Sequence, residues 1–211
     1  MTFEEAQDRV KISHFTRKGH KIRGVVHVGA NDGYEIQFYL VLGAQRVIAF
    51  EPLANAMTAM FQKYGNDDRV ELYNCALGER DGWCELAITP GDGQGSSFLP
   101  EVDPPTYQTV GVQMCAIHRF DSLGIDIHPC NTLVVDVQGM ELQTLHGFGD
   151  QLGKFDFLNI ECSRVPIYQG GVPASEVIAF LSEHGFDQDS PIEDHDDIFF
   201  IRKGLASAAF C

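Results

Sequence analysis

The stretch "VVHVGANDGYE", residues 25–35, decides the fold. An apolar, β-branched run breaks at Gly29-Ala30-Asn31-Asp32-Gly33, and a helix-like pattern follows over 35–42. Strand, tight turn and helix in that order open a βαβ unit. Two glycines four apart ask for a reason. One answer is a nucleotide-like ligand passing close to the backbone, where a Cβ would intrude. A plain tight turn is the other.

Outward from that turn the chain alternates between two periods. Residues 46–50, 132–137, 155–160 and 198–201 are β-rich apolar runs. Helical spacing marks 35–42, 53–64, 140–148 and 174–184, with Met140, Leu142, Leu145 and Phe148 on one stripe. This alternation predicts a mostly parallel sheet with helices on both faces. At 211 residues, one such domain is expected, over 23–204, with a helical or lid segment at 1–22 and a tail at 205–211. Residues 79–118 break the rhythm. They read as short strands around a Gly/Ser/Pro loop at 90–106, an insertion before the fourth strand that is expected to act as a flap over the ligand cleft.

Composition removes several function classes. A formal charge of −15, from 30 acidic and 15 basic residues, argues against nucleic acid and anionic membrane surfaces as partners. No apolar run approaches the roughly 18 residues of a membrane span. The charged N-terminus does not resemble a secretory signal, so a cytoplasmic location is expected. Cysteines at 75, 84, 115, 130, 162 and 211 lack CxxC or metal-type spacing, which predicts reduced thiols and no structural zinc. No required metal is expected. The acidic run Glu193–Asp197 around His195 is read as a solvated turn, although it falls at the ligand end of a terminal hairpin.

In open α/β sheets the ligand lies beyond the carboxyl ends of the strands, so the residues there carry the functional reading. They are Gly29–Gly33, then Glu51 and Pro52, Cys75 and Ala76, Asp136 and Gln138, and Glu161. Glu51 comes 18 residues after Gly33, in place to accept hydrogen bonds from ribose hydroxyls. A dinucleotide fingerprint would need glycine at 31 and 34, where Asn31 and Tyr34 stand. A pyrophosphate is therefore disfavoured, and a smaller adenosyl ligand fits the turn better.

The stretches "VVHVGANDGYE", "VIAFEP", "NCALGERDG", "GSSF", "HRFDSL", "LVVDVQGMELQTLHG" and "NIECSRVPIYQGG" resemble, in order, those of FkbM-family methyltransferases. The resemblance runs over roughly residues 24–203, and its most specific element is Asp136-Val137-Gln138-Gly139-Met140-Glu141-Leu142. It implies a class I Rossmann-like methyltransferase with a seven-stranded sheet. It also implies S-adenosylmethionine (SAM) as cofactor, S-adenosylhomocysteine (SAH) as product, and methylation of a hydroxyl on a small molecule such as a sugar or natural product. Methylation of an amine or carboxyl, and a non-catalytic SAM-binding or partner-binding module, are the alternatives. The oligomeric state is left open. His27 stands where many members carry Asp, Val135 where many carry Lys, and Gln138 where Glu is frequent.

On this reading His27, Gly29, Ala30, Asn31, Asp32, Gly33, Glu51, Pro52, Cys75, Ala76, Asp136 and Gln138 would surround the cofactor. His27 is expected to bond backbone and shape the turn. Asp136 and Glu161 would orient the acceptor or take its proton, because a hydroxyl acceptor must lose one and a positioned base contributes about 100- to 10,000-fold. Salt bridges from Arg164 or Arg119 are the plain alternative for Glu161. Ser96, Ser97, His118, Arg119, Tyr168 and His195 are expected to line the acceptor pocket.

Overall fold

The computed structural model describes residues 1–91, 93–102, 108–192 and 194–205. Ten strands and six α-helices follow in chain order: α1 Phe3–Gln7, α2 Ser13–Arg17, β1 Val25–Val28, α3 Ile36–Val41, β2 Val47–Phe50, α4 Ala54–Tyr64, β3 Val70–Tyr73, β4 Ala76–Leu77, β5 Gly82–Ile88, β6 Gly111–His118, β7 Thr132–Val135, α5 Glu141–Phe148, β8 Phe157–Ser163, α6 Ala174–Glu183, β9 Phe186–Gln188 and β10 His195–Arg202.

Strands β1, β2 and β7 are apolar or β-branched at nearly every position and buried throughout. Such runs suit the middle of a parallel sheet covered on both faces. They occupy that place in a seven-stranded sheet of order β3-β2-β1-β7-β8-β10-β9, in which only β10 runs against its neighbours. Alternate residues serve opposite faces. Val26, Val28, Ile48, Phe50, Leu133, Val135 and Ile160 pack with Leu145 and Phe148 of α5 and Leu181 of α6. Val25, Val47, Ala49 and Val134 pack on the other face with Phe15 of α2, Ile36 and Tyr39 of α3, and Met60 of α4. The chain builds outward from β1 in one direction, then restarts on its other side with β7. The crevice at that reversal, beyond the carboxyl ends of β1 and β7, is where such sheets hold ligands.

The expected insertion is a second sheet of order β4-β6-β5. Leu86 and Cys115 turn one of its faces onto Leu53 and Ala56 at the start of α4. Two expectations are corrected here. Strand β8 continues to Ser163, so Glu161 lies within it and does not end it. Strand β10 begins at His195, so His195, Asp196 and Asp197 belong to a strand that is paired with β8. They are not a solvated turn, because Asp196 and Asp197 pair with Lys11 at 2.7 and 2.9 Å. Glu193, the tail beyond 205, Cys211 and parts of the 90–106 loop lie outside the described residues. Cys75, Cys84, Cys115, Cys130 and Cys162 are free thiols. Among the described residues no helix is long and apolar enough to cross a membrane.

Candidate active site

A cavity of about 1490 Å³ opens at the switch point. Its first wall is the turn after β1. Gly29 has φ +84°, and a Cβ there would sit 1.7 Å from the carbonyl oxygen of Asp136. Gly33 has φ +73°, and its Cβ would meet Met60 at 2.8 Å. The two glycines are therefore needed first by the protein's own packing. One lets the β1 and β7 loops touch, and the other seats the turn on α4. Gly29, Ala30, Asn31 and Asp32 face the cavity, whereas Gly33 lies behind it.

Glu51 ties this turn to β2. One carboxylate oxygen accepts from Asn31 N at 2.9 Å, the other from Leu53 N at 2.7 Å. Each oxygen keeps a lone pair for a further donor. Burial pushes Glu51 up to about 7, against the pull of those two amides. Asn74 Nδ2 donates to the carbonyls of Glu51 and Pro52, and Gln113 Nε2 to that of Pro52. Phe50, Leu77, Leu86 and Phe98 add an apolar slot beside Pro52 and Ala76. A carboxylate beside such a slot is chemically suited to an adenosyl ligand, with hydroxyls for the acid and an apolar face for the slot. Asp32 is engaged by Lys63 at 2.6 Å. Cys75 does not reach the cavity. It packs in the core, and burial lifts its thiol to about 11.

The second wall is built by side chains. Gln138, in the left-handed region at φ +54°, donates from Nε2 to Asp136 at 2.6 Å and to Glu161 at 2.9 Å. Its Oε1 accepts from Tyr168 Oη at 2.7 Å. Asp136 faces the cavity yet lies deep in the protein, and its carboxyl is held well above the usual range by that burial and by Glu161. Burial raises Glu161 as well. The two carboxyls are in hydrogen-bonding contact, and like charges this close resist ionising together. His195 Nε2 lies 3.7 Å from Glu161, and its Nδ1 is 2.7 Å from Ser163 Oγ. No arginine reaches Glu161 among the described pairs. Arg164 bonds the carbonyl of Ile192, and Arg119 bonds Asp121. Gly139 supports this wall, since a Cβ there would strike the Tyr168 ring at 2.8 Å.

Residues 93–102 roof the cavity. Ser97 Oγ donates to the Gln138 carbonyl at 2.6 Å, and Val102 N to Ile167 O at 2.8 Å. Gly93, Gln94, Gly95, Ser96, Phe98 and Glu101 line the space beneath, with Tyr168 and Ile167 opposite. Ser97 itself points into the anchoring contact and not into the cavity. His118 and Arg119 do not reach it either. They lie at the opposite end of β6, with His118 on Asp81 at 3.1 Å and Arg119 on Asp121 and the Glu79 carbonyl. The expectation that they face the acceptor is corrected by strand polarity, because β6 runs away from the flap toward them.

His27 also departs from expectation. Among the described residues its ring meets side chains: Tyr39 Oη lies 3.2 Å from its Nδ1, and Glu35 3.8 Å from its Nε2. Burial holds it down at about 3, so it is neutral. Glu35, pushed by burial up to about 7, accepts from Tyr39 at 2.9 Å. This trio was missed, although Glu35 and Tyr39 stand four apart on one helical face and were findable on that ground. Lys11, between α1 and α2, and His14 of α2 also line the cavity, as does Asp197. Lys11 bonds Asp196, 185 positions away, and no local signal announces such a pair. Among the described residues no three His, Cys, Asp or Glu are arranged to hold a metal ion.

Comparison with known proteins bears on the family and the fold. The methyltransferase FkbM domain matches residues 27–187. The chain is 26% identical over 170 residues to 2-O-methyltransferase NoeI of Sinorhizobium fredii (strain NBRC 101917 / NGR234), covering 74% of this chain and 70% of that one. Among solved structures, methyltransferase FkbM from Methylobacillus flagellatus KT superposes with a TM-score of 0.53 at 15% identity over 85% of this chain. This chain spans only 43% of that protein's length. Magnesium protoporphyrin IX methyltransferase from Synechocystis PCC 6803, with bound SAM, gives a TM-score of 0.51 at 9% identity, over 95% of this chain and 79% of that one. These two structures share the fold, and the domain match covers most of the chain, so the protein belongs to the FkbM family of SAM-dependent methyltransferases.

Proposed function

We propose that this enzyme methylates a hydroxyl oxygen on a small molecule of sugar or natural-product type. The observation that carries the reading is the Asp136–Glu161 pair, bridged by Gln138 at the cavity wall. SAM, when bound, supplies a methyl group on a positively charged sulfur. The turn 29–32 and Glu51 are suited to hold it, and the acid wall then faces the space left for the acceptor. A hydroxyl that attacks a methyl group must give up its proton. The ionised member of the carboxyl pair is placed to receive it, and Gln138 keeps both acids aimed at one point. Alignment of the acceptor supplies much of the rest, since positioning alone is worth roughly 7–11 kcal/mol.

Three further facts support a small acceptor. The cavity, at about 1490 Å³, exceeds the roughly 300–1,000 Å³ of a pocket for one small ligand, so two molecules fit side by side. A charge of −15 opposes an RNA acceptor. The matched relative from Sinorhizobium is a 2-O-methyltransferase. Residues 93–102 and the N-terminal helices, both on the cavity wall, are in position to act as lids.

A screen of sugars, polyketides and amino-acid derivatives, scored by a one-methyl mass gain and by SAH formation, tests the acceptor class. Methylation only at amines or carboxyls would overturn the reading. With a hydroxyl acceptor in hand, Asp136→Asn is expected to slow single-turnover methylation about 100-fold or more while SAH affinity stays near wild type. Wild-type turnover would remove Asp136 from the chemistry. SAM binding with no acceptor ever methylated would favour a binding module.

A further inference from the structure

We infer that His195 is a positioning residue that sets the proton count of the Asp136–Glu161 pair, its imidazolium keeping one carboxyl ionised and ready to act as base. The inference rests on the hydroxyl-methylation reading above, and it concerns a residue first expected to line the acceptor pocket.

The geometry sets one basic side chain against the pair. His195 opens β10 directly across from Ser163 on β8, and Ser163 Oγ fixes its Nδ1 at 2.7 Å. That anchor turns Nε2 toward Glu161, 3.7 Å away. Besides burial, other charges bear on the pair: Asp197 and Glu141 raise Glu161, and Asp197 raises Asp136. Asp196 and Asp197 on the strand of His195 share Lys11, from the segment between α1 and α2, at 2.7 and 2.9 Å. Arg164 lies toward Asp194, at 3.6 Å. Glu141 on α5 is turned to the amide of Gly139 at 2.9 Å. Among the described residues, Gln138 gives Asp136 and Glu161 neutral hydrogen-bond donors, besides their contact with each other. Among the described residues His195 is the basic side chain within 4 Å of the pair.

Its exposure suits the task. The Glu161 side chain is 21% exposed and that of His195 45%. The imidazole thus sits at the solvent edge, beside acids that lie deeper. With the imidazolium present, removing one proton from the pair is favoured. Without it, both acids tend to stay protonated, and the acceptor's proton has nowhere to go. The balance is simple: the acceptor O–H proton moves to the ionised carboxylate, the oxygen bonds to the methyl carbon as that carbon's bond to the SAM sulfur breaks, neutral SAH leaves, and the proton later passes to water.

The test uses three variants of the full chain and two measurements. The first is the protonated-carboxyl stretch in infrared difference spectra across pH, on protein without cofactor or acceptor. In His195→Gln the band should persist to about one pH unit higher than in wild type, a tenfold rise in proton affinity of the pair. In His195→Lys, which keeps the charge, it should stay within about 0.3 unit of wild type. Ser163→Ala removes the anchor and no charge; if that displaces the imidazole, it should move the band part of the way. The second measurement is the pH profile of kcat with the acceptor from the screen, whose acid limb should follow the same order. An unshifted band in His195→Gln would overturn the inference, and so would equal shifts in His195→Gln and His195→Lys. Because the infrared readout needs no acceptor, failure of the acceptor screen and failure of this inference are told apart.

Discussion

The two walls of the cavity are built by different means. The cofactor wall is backbone. Gly29 and Asn31 take left-handed conformations, and Glu51 is held by the amides of Asn31 and Leu53. The acid wall is side chain. Asp136 and Gln138 follow β7, Glu161 lies in β8, Tyr168 comes after it and His195 opens β10, and they meet through terminal atoms. A backbone wall is specified locally and tolerates almost no added volume. A side-chain wall is specified by the whole sheet, and it yields in steps, because a rotamer can move where a carbonyl cannot.

The largest effect expected from this difference is in glycine substitutions. Gly29→Ala would drive a Cβ to 1.7 Å from the Asp136 carbonyl, at φ +84°. The β1 and β7 loops would have to separate, at an expected cost of about 3–5 kcal/mol in urea unfolding, with SAH binding lost. Gly139→Ala presses on the Tyr168 ring at 2.8 Å, at φ +99°. The ring can swing, so about 1–3 kcal/mol is expected, with turnover reduced more than SAH affinity. Equal costs at the two positions would break the contrast between the walls.

A second effect separates the walls by what is lost. Glu51→Ala removes a carboxylate from the cofactor wall and leaves the amides of Asn31 and Leu53 without that acceptor. SAH binding by calorimetry should weaken by about 1–3 kcal/mol. Single-turnover methylation at saturating SAM should change far less. Asp136→Asn is expected to do the reverse. If Glu51→Ala slowed the saturated chemical step as much as Asp136→Asn does, the division into a binding wall and a chemical wall would fail.

The same difference explains what could be read from the sequence. The turn 29–33, Glu51 and the strand-end position of Asp136 were legible because each depends on a few neighbouring residues and the period of a buried strand. The sheet was legible for the same reason, since Val25–Val28, Val47–Phe50 and Thr132–Val135 are nearly continuous apolar runs. What the residues do to one another was less legible. Gln138 reads locally as a helix-start or ligand contact, but its bridge to Glu161 needs β7 and β8 side by side, 23 positions apart. His118 and Arg119 were misplaced because the direction of β6 within the insertion has no sequence signature. The acidic run was taken for a turn because polar residues normally leave a strand. Here Lys11 neutralises two of them and lets β10 begin three residues earlier than its apolar stretch.

The smallest expected effect lies where the flap meets the acid wall. Ser97 Oγ donates to the Gln138 carbonyl at 2.6 Å and accepts from Leu99 N at 3.0 Å, so one hydroxyl joins the roof to the residue that aligns both acids. Ser97 is buried, and Ala fits its space, so Ser97→Ala removes the bond without crowding. A neutral hydrogen bond contributes about 0.5–1.5 kcal/mol. The fold should therefore persist, and amide exchange at residues 93–99 should accelerate by roughly 2- to 12-fold, the same free energy expressed as local opening. Exchange elsewhere on the sheet should not change. With SAH and acceptor bound, wild-type exchange in this segment should slow, because Gln94, Ser96 and Phe98 face the filled cavity. In Ser97→Ala it should slow less. KM for the acceptor should rise a few-fold while kcat at saturation falls less, since the roof's contribution is retention and the acids remain bridged by Gln138. Identical exchange with and without both ligands would remove the flap from the working parts of the site and leave the acid wall to hold the acceptor alone.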